Sequence, residues 1–153
     1  MKQLAVIMLS LLTGCTTAPP RSSVVLPETE AARFRDLCSR PGVPAFQGTW
    51  TPTPADITAM ESRFRRLRRT KSRECCVLGF SVDRLEKFDL QYVGVMINSQ
   101  KFIYINAACS ATRDAQWSTR AYSSVCDGGG CYWGALYDVE KGQFSHIASN
   151  GSA

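Results

Sequence analysis

A single histidine, His146, stands in the whole chain of 153 residues, and that scarcity excludes much chemistry. Serine and cysteine nucleophiles commonly depend on an adjacent imidazole, so any such mechanism would have to run through this one side chain. A lone histidine on a final strand reads as structural or solvent-facing. No two cysteines have the C-x2-C spacing of a zinc site, and His146 has no second ligand near it in sequence. The triple glycine Gly128-Gly129-Gly130 is too short for a phosphate loop and lacks the following Lys-Ser/Thr. It reads instead as a turn with permissive dihedrals. Asp127 and Asp138 sit in turns, where aspartate bonds its own backbone, and they do not form an acid–base pair. No internal repeat is visible. With no catalytic set, metal set or cofactor motif to assign, the chain reads as a non-enzymatic protein, with a small hydrolase as the remaining enzyme class.

Long apolar runs are also missing. Leu4 to Leu12, behind Lys2, is the main one, and it falls well short of the ~20 residues that span a bilayer. It reads as the core of a secretion signal. The following Leu12-Thr13-Gly14-Cys15 resembles the lipobox of bacterial lipoproteins, which implies cleavage after residue 14 and acylation of Cys15. Thr16, in place of Asp, implies sorting to the outer membrane, with the domain facing the periplasm. The expected organisation is a signal peptide over residues 1–14, an acylated cysteine and flexible tether over 15–26, and one domain over 27–153. The tether rests on a polar, Pro-bearing stretch, Thr16 to Val24, with no period.

Cysteine itself is plentiful. Setting Cys15 aside leaves Cys38, Cys75, Cys76, Cys109, Cys126 and Cys131, an even set in an oxidising compartment, which favours disulfides. Adjacent cysteines form a strained ring, so Cys75 and Cys76 are expected to reach different partners. Cys126 with Cys131 could close a small loop, and Cys109 with Cys126 could bridge neighbouring strands. Spacing does not choose between these.

A first helix is expected from Pro27, with Glu28 and Glu30 at its positive end and Ala31, Phe34, Leu37 and Cys38 on one face. Arg40-Pro41-Gly42 ends it. A second helix is marked by Thr53 as N-cap, Pro54 at the first position and Asp56 three after the cap. Ile57, Met60, Phe64 and Leu67 form its apolar stripe.

Seven cations then fall between Arg63 and Arg73. A helix C-terminus favours cations by ~0.3–1 kcal/mol each, so a solvated face is one reading. The other is recognition of an envelope protein or an anionic envelope polymer, with Arg63, Arg65, Arg66, Arg69 and Arg73 as the basic face. Arg68 is expected near the apolar stripe. Nucleic acid is set aside because the chain is exported.

From Asp89 the period changes to that of strands: 90–97, 101–106, 121–126, 131–137 and 143–147, joined by turn residues. Short connections pair such strands antiparallel. The expected fold is α+β, one or two helices on a four- to five-stranded antiparallel meander. The arrangement resembles cystatin-like and other small inhibitor-type rolls. Trp50, Trp117, Tyr132, Trp133 and Tyr137 are the aromatics that could line a groove, although alternating aromatics are ordinarily core. Tyr132 and Trp133 mark the second candidate binding face.

Three phrases, Gly48-Thr49-Trp50, Gln91-Tyr92-Val93-Gly94 and Ile103-Tyr104-Ile105-Asn106-Ala107, lead to a C-terminal set: Asp127-Gly128-Gly129, Trp133-Gly134, Tyr137-Asp138 and Asn150-Gly151. Together they resemble an uncharacterised family of small proteobacterial secreted and lipoprotein domains over most of residues 46–151. The resemblance implies no particular activity, and the added cysteines, notably the vicinal pair and Cys131, depart from its pattern. The chain is therefore expected to be an outer-membrane-anchored binding module, one form of which is an inhibitor or immunity protein. An envelope assembly accessory acting on anionic surfaces is the alternative.

Overall fold

The computed structural model describes residues 22–73, 76–109 and 114–152. Cys15, Cys75, the signal and most of the tether lie outside them. The strands are Ser22–Val25 (β1), Gly48–Trp50 (β2), Phe88–Ile97 (β3), Gln100–Cys109 (β4), Tyr132–Asp138 (β5) and Gln143–Ser149 (β6). The helices are Pro54–Glu61 (α1) and Phe64–Leu67 (α2). β3, β4, β5 and β6 form the expected antiparallel meander. Asn98 and Ser99, both at positive φ, make the two-residue turn between the first two of these strands.

Two short strands share the outer edge of β3. β1 pairs parallel with Asp89 to Tyr92, and β2 pairs antiparallel with Gly94 to Met96. The sheet is therefore six-stranded and mixed. Ser22–Val25 falls in the stretch expected to be tether, so the ordered sheet begins before the domain boundary read from sequence.

Strand alternation buries both faces. Leu90, Tyr92, Ile103, Ile105, Trp133 and Tyr137 point to one face, where Met60, Phe64 and Leu67 cover them. Val93, Val95, Tyr104 and Leu136 point to the other, under Leu26, Phe34 and Val43. The capping box is present: the Asp56 N–H donates to Thr53 Oγ1 (3.3 Å) and the Thr53 N–H to Asp56 Oδ2 (2.8 Å).

The second helix breaks where a continuous one was expected. Ser62 Oγ and Arg63 Nη1 both donate to the Ala59 carbonyl, and the Arg63 N–H turns back to Met60 O at 2.9 Å. Side chains thus close α1 early, while the buried stripe continues into α2. The expected first helix is a 3-10 segment, Glu28–Phe34, with Pro27 just outside it as the cap. Its end is held by the Val43 N–H, which donates to Phe34 O at 2.8 Å.

The expected strand at 121–126 is not a strand. Side-chain amides take up its backbone groups in place of a ladder. Gln91 Oε1 accepts from the Tyr122 N–H (2.9 Å), Asn106 Nδ2 donates to Tyr122 O (3.0 Å), and Asn150 Nδ2 donates to Val125 O (2.8 Å). Arg40 joins this network by donating to both Asn106 Oδ1 and Asn150 Oδ1.

Neither of the disulfide pairings considered from spacing occurs. Cys38 bonds Cys126, tying the loop after the first helical segment to the 121–127 loop, and Cys109 at the end of β4 bonds Cys131 just before β5. Cys76 is also disulfide-bonded. Its sulfur lies 2.8 Å from Ser39 O, a contact rather than a hydrogen bond because a disulfide sulfur carries no proton.

Candidate functional site

The basic run divides into two groups with different duties. Arg63 donates to Tyr137 Oη at 3.2 Å, and Arg66 donates to Gly142 O at 3.1 Å. These two arginines clamp the helix onto the turn between β5 and β6, so they serve the fold. Arg65 is exposed, and so is Arg68, which was expected beside the apolar stripe. Arg69, Lys71 and Arg73 lie past the last residue of α2, where the chain runs alongside β6.

There the two segments enclose a cleft of about 660 Å³. Arg69, Thr70, Lys71 and Arg73 form one side, and Phe144, Ser145, His146 and Ile147 form the other. Phe144 and Ile147 are almost fully buried and contribute an apolar floor, whereas Ser145 and His146 are exposed. Among the described residues, no carboxylate lines the cleft. Among the described residues, the ion pairs Arg33–Glu30 and Lys141–Asp138 lie elsewhere, so nothing described there neutralises the three cations.

His146 reaches this cleft through a β-bulge. Gly134 pairs with Ala148 and Leu136 with Ser145, so His146 and Ile147 together oppose Ala135 alone. His146 takes φ +50°, a left-handed conformation that costs an L-residue about 1–2 kcal/mol. Bulges re-aim side chains and cluster at sheet edges, and β6 is the outer strand of the meander. His146 Nδ1 lies 3.0 Å from Ser145 Oγ. The sequence carries no signal for this bulge, which is why His146 reads there as incidental.

The aromatic face does not assemble. Trp133 is wholly buried, packed edge-on against Phe88 at 5.6 Å, and Tyr137 lies in the same core. Trp133 therefore cannot contact a ligand. Tyr132 stacks on Tyr122 at 6.1 Å, and Trp117 packs on Tyr122 from another side at 5.7 Å. Trp50 lies elsewhere, over β3, with the Lys101 ammonium 4.6 Å from its ring centre. A second concavity, about 650 Å³, runs between β1 and α1 along Val25, Pro27, Pro52, Pro54 and Ile57. Of the hydroxyl-bearing residues that line it, Tyr92 is already committed, its Oη donating to Glu61 Oε1 at 2.8 Å. It offers shape without an orienting charge.

The phrases that carried the family resemblance meet as structural pairs. Trp50 pairs with Gly94, Asn106 with Gly134, and the Gly129 N–H donates to Gly151 O at 2.9 Å. Within the described residues no three His, Cys, Asp or Glu side chains come together as a metal-ligand set. Comparison with protein-family models, with curated proteins and with solved structures finds no match to this chain.

Proposed function

We propose that this protein is a non-enzymatic binding module of the cell envelope, held at the periplasmic face of the outer membrane by lipid on Cys15, and that its basic cleft receives an anionic group of its partner. The observation that carries this reading is the convergence of Arg69, Lys71 and Arg73 with His146 over an apolar floor, with no carboxylate among the described residues that line it. Helix-end electrostatics account poorly for these cations. α2 is one turn long and ends at Leu67, so its dipole is small and the three lie beyond it. The volume lies in the range of small-molecule sites, and the mainly polar, cationic lining suits a charged group rather than an apolar one. The Cys38–Cys126 and Cys109–Cys131 disulfides suit an oxidising compartment. An inhibitor or immunity role is one form such a module would take.

Two experiments test it. Palmitate labelling and membrane fractionation of Cys15→Ser should show loss of label and release from the membrane; retained label would remove the anchor from the account. Capture from the envelope fraction should recover a partner with wild type and lose it with Arg69→Gln/Lys71→Gln/Arg73→Gln. Raising salt, which shortens the ~10 Å Debye length of 0.1 M buffer, should weaken that capture. Undiminished recovery by the triple variant would move the binding site to another surface, such as the groove beside α1.

A further inference from the structure

The charge and shape of the cleft narrow the ligand class. Two arginines and one lysine line it, uncompensated among the described residues, with His146 and Ser145 alongside, while the Thr70 hydroxyl donates to Arg66 O at 3.0 Å. A single carboxylate would leave most of this positive charge facing itself. A phosphomonoester carries up to two negative charges and three acceptor oxygens, and Arg forks match those oxygens in pairs while Lys meets them as a point charge. Phe144 and Ile147, both buried, close the cleft from beneath.

The strained histidine is an independent observation. His146 sits at φ +50° on a bulged strand, in a conformation glycine or asparagine would hold more cheaply, yet its side chain is exposed and contributes nothing to either core. A costly residue with no packing role, placed on the wall of a cationic cleft, is accounted for by contact with a ligand. We infer that the cleft is a phosphoryl-binding site for a phosphomonoester, with Arg69, Lys71, Arg73 and His146 as ligand contacts. This inference rests on the anionic-cleft reading above and specifies its ligand.

Calorimetric titration with phenyl phosphate tests it, beside phenylacetate and a poly-glutamate peptide as carboxylate probes. Phenyl phosphate should bind at least tenfold tighter than phenylacetate, and Arg69→Gln/Arg73→Gln should abolish that binding. His146→Gly should weaken phenyl phosphate at least threefold while the melting temperature holds or rises, because glycine relieves the left-handed strain. A purely structural histidine would give the reverse, a lower melting temperature with unchanged affinity, and would remove His146 from the site. Co-sedimentation with phosphatidylcholine vesicles containing phosphatidic acid identifies the source. Vesicle binding that the double variant loses indicates a lipid phosphate, and soluble binding alone indicates a phosphorylated glycan or metabolite; each supports the site. Poly-glutamate binding without phenyl phosphate binding would overturn the phosphoryl inference and leave the anionic cleft standing. Failure of every probe, together with capture that ignores the triple variant, would overturn both.

Discussion

Trp50 lies directly over Gly94 across the β2–β3 pair, so close that a Cβ at position 94 would run into the Trp50 carbonyl and come within 2.9 Å of its ring atoms Cε2 and Nε1. The indole N–H reaches past this glycine to the Val95 and Phe102 carbonyls at 3.3 and 3.2 Å. Gly94 is thus the space that lets β2 close the edge of the sheet. Gly94→Ala should lower unfolding free energy by about 1–3 kcal/mol, the usual range for overpacking. Urea denaturation followed by tryptophan fluorescence would measure it, and an unchanged midpoint would show that the edge accommodates the methyl.

Arg40 is the centre of the polar network behind β4. It is 7% exposed and donates to Asn106 and Asn150, which in turn hold the 121–127 loop. Arg40→Ala leaves two buried amide oxygens without this donor, a loss of about 2–6 kcal/mol at ~1–3 kcal/mol each. Arg40→Lys should recover little, because one ammonium cannot reproduce the guanidinium fork. Hydrogen exchange should accelerate first between residues 117 and 127; uniform acceleration would instead mean that the network serves the whole sheet.

Nonreducing peptide mapping should find Cys38 linked to Cys126 and Cys109 linked to Cys131. The first closes a separation of 88 residues and the second one of 22. On the loop-entropy account these correspond to about 4–5 and about 3 kcal/mol. Removing the Cys38–Cys126 pair should therefore destabilise more, as read from the melting temperatures of the two paired Cys→Ser variants.

Stability should fall at both ends of the pH range. Hydroxyls of Thr49 and Thr51 donate to Glu28 and hold its carboxyl below the usual 4.5, and the Thr53 hydroxyl and N–H lower Asp56 from the usual 3.8. A carboxyl lowered on folding contributes fully above its ordinary value and loses that contribution as pH falls through the folded one. The urea midpoint should thus drop in acid, and Thr49→Val/Thr51→Val should flatten the drop. Tyr92 has the opposite sign. Burial, then the Glu61 charge, raises its hydroxyl well above the usual 10.0, so its contribution holds below that value and disappears as pH climbs through the raised one.

Local signals were legible where they act locally. Thr53, Pro54 and Asp56 mark α1 because a capping box acts within a few positions, and the polar Asn98-Ser99-Gln100 between two apolar runs marks the hairpin, although Gln100 already belongs to β4. What failed was non-local. Ala121–Cys126 has strand composition, but amides of Gln91, Asn106 and Asn150, distant in sequence, occupy its backbone groups. Arg40 precedes Pro-Gly and reads as a helix stop, which conceals its burial. Trp133 alternates like any strand aromatic, and alternation cannot separate core from pocket. The cleft itself joins residues 69–73 to 144–147, and no spacing along the chain announces that meeting.

The most direct measurement is photo-crosslinking in cells from a benzophenone amino acid at Ser145, on the wall of the cleft, compared with one at Thr58 on α1, in the second concavity. Both positions are exposed. The account predicts an adduct from position 145 that disappears in the Arg69→Gln/Lys71→Gln/Arg73→Gln background, and none from position 58. An adduct from position 58 alone, indifferent to those three cations, would contradict the basic cleft as the place where this protein meets its partner.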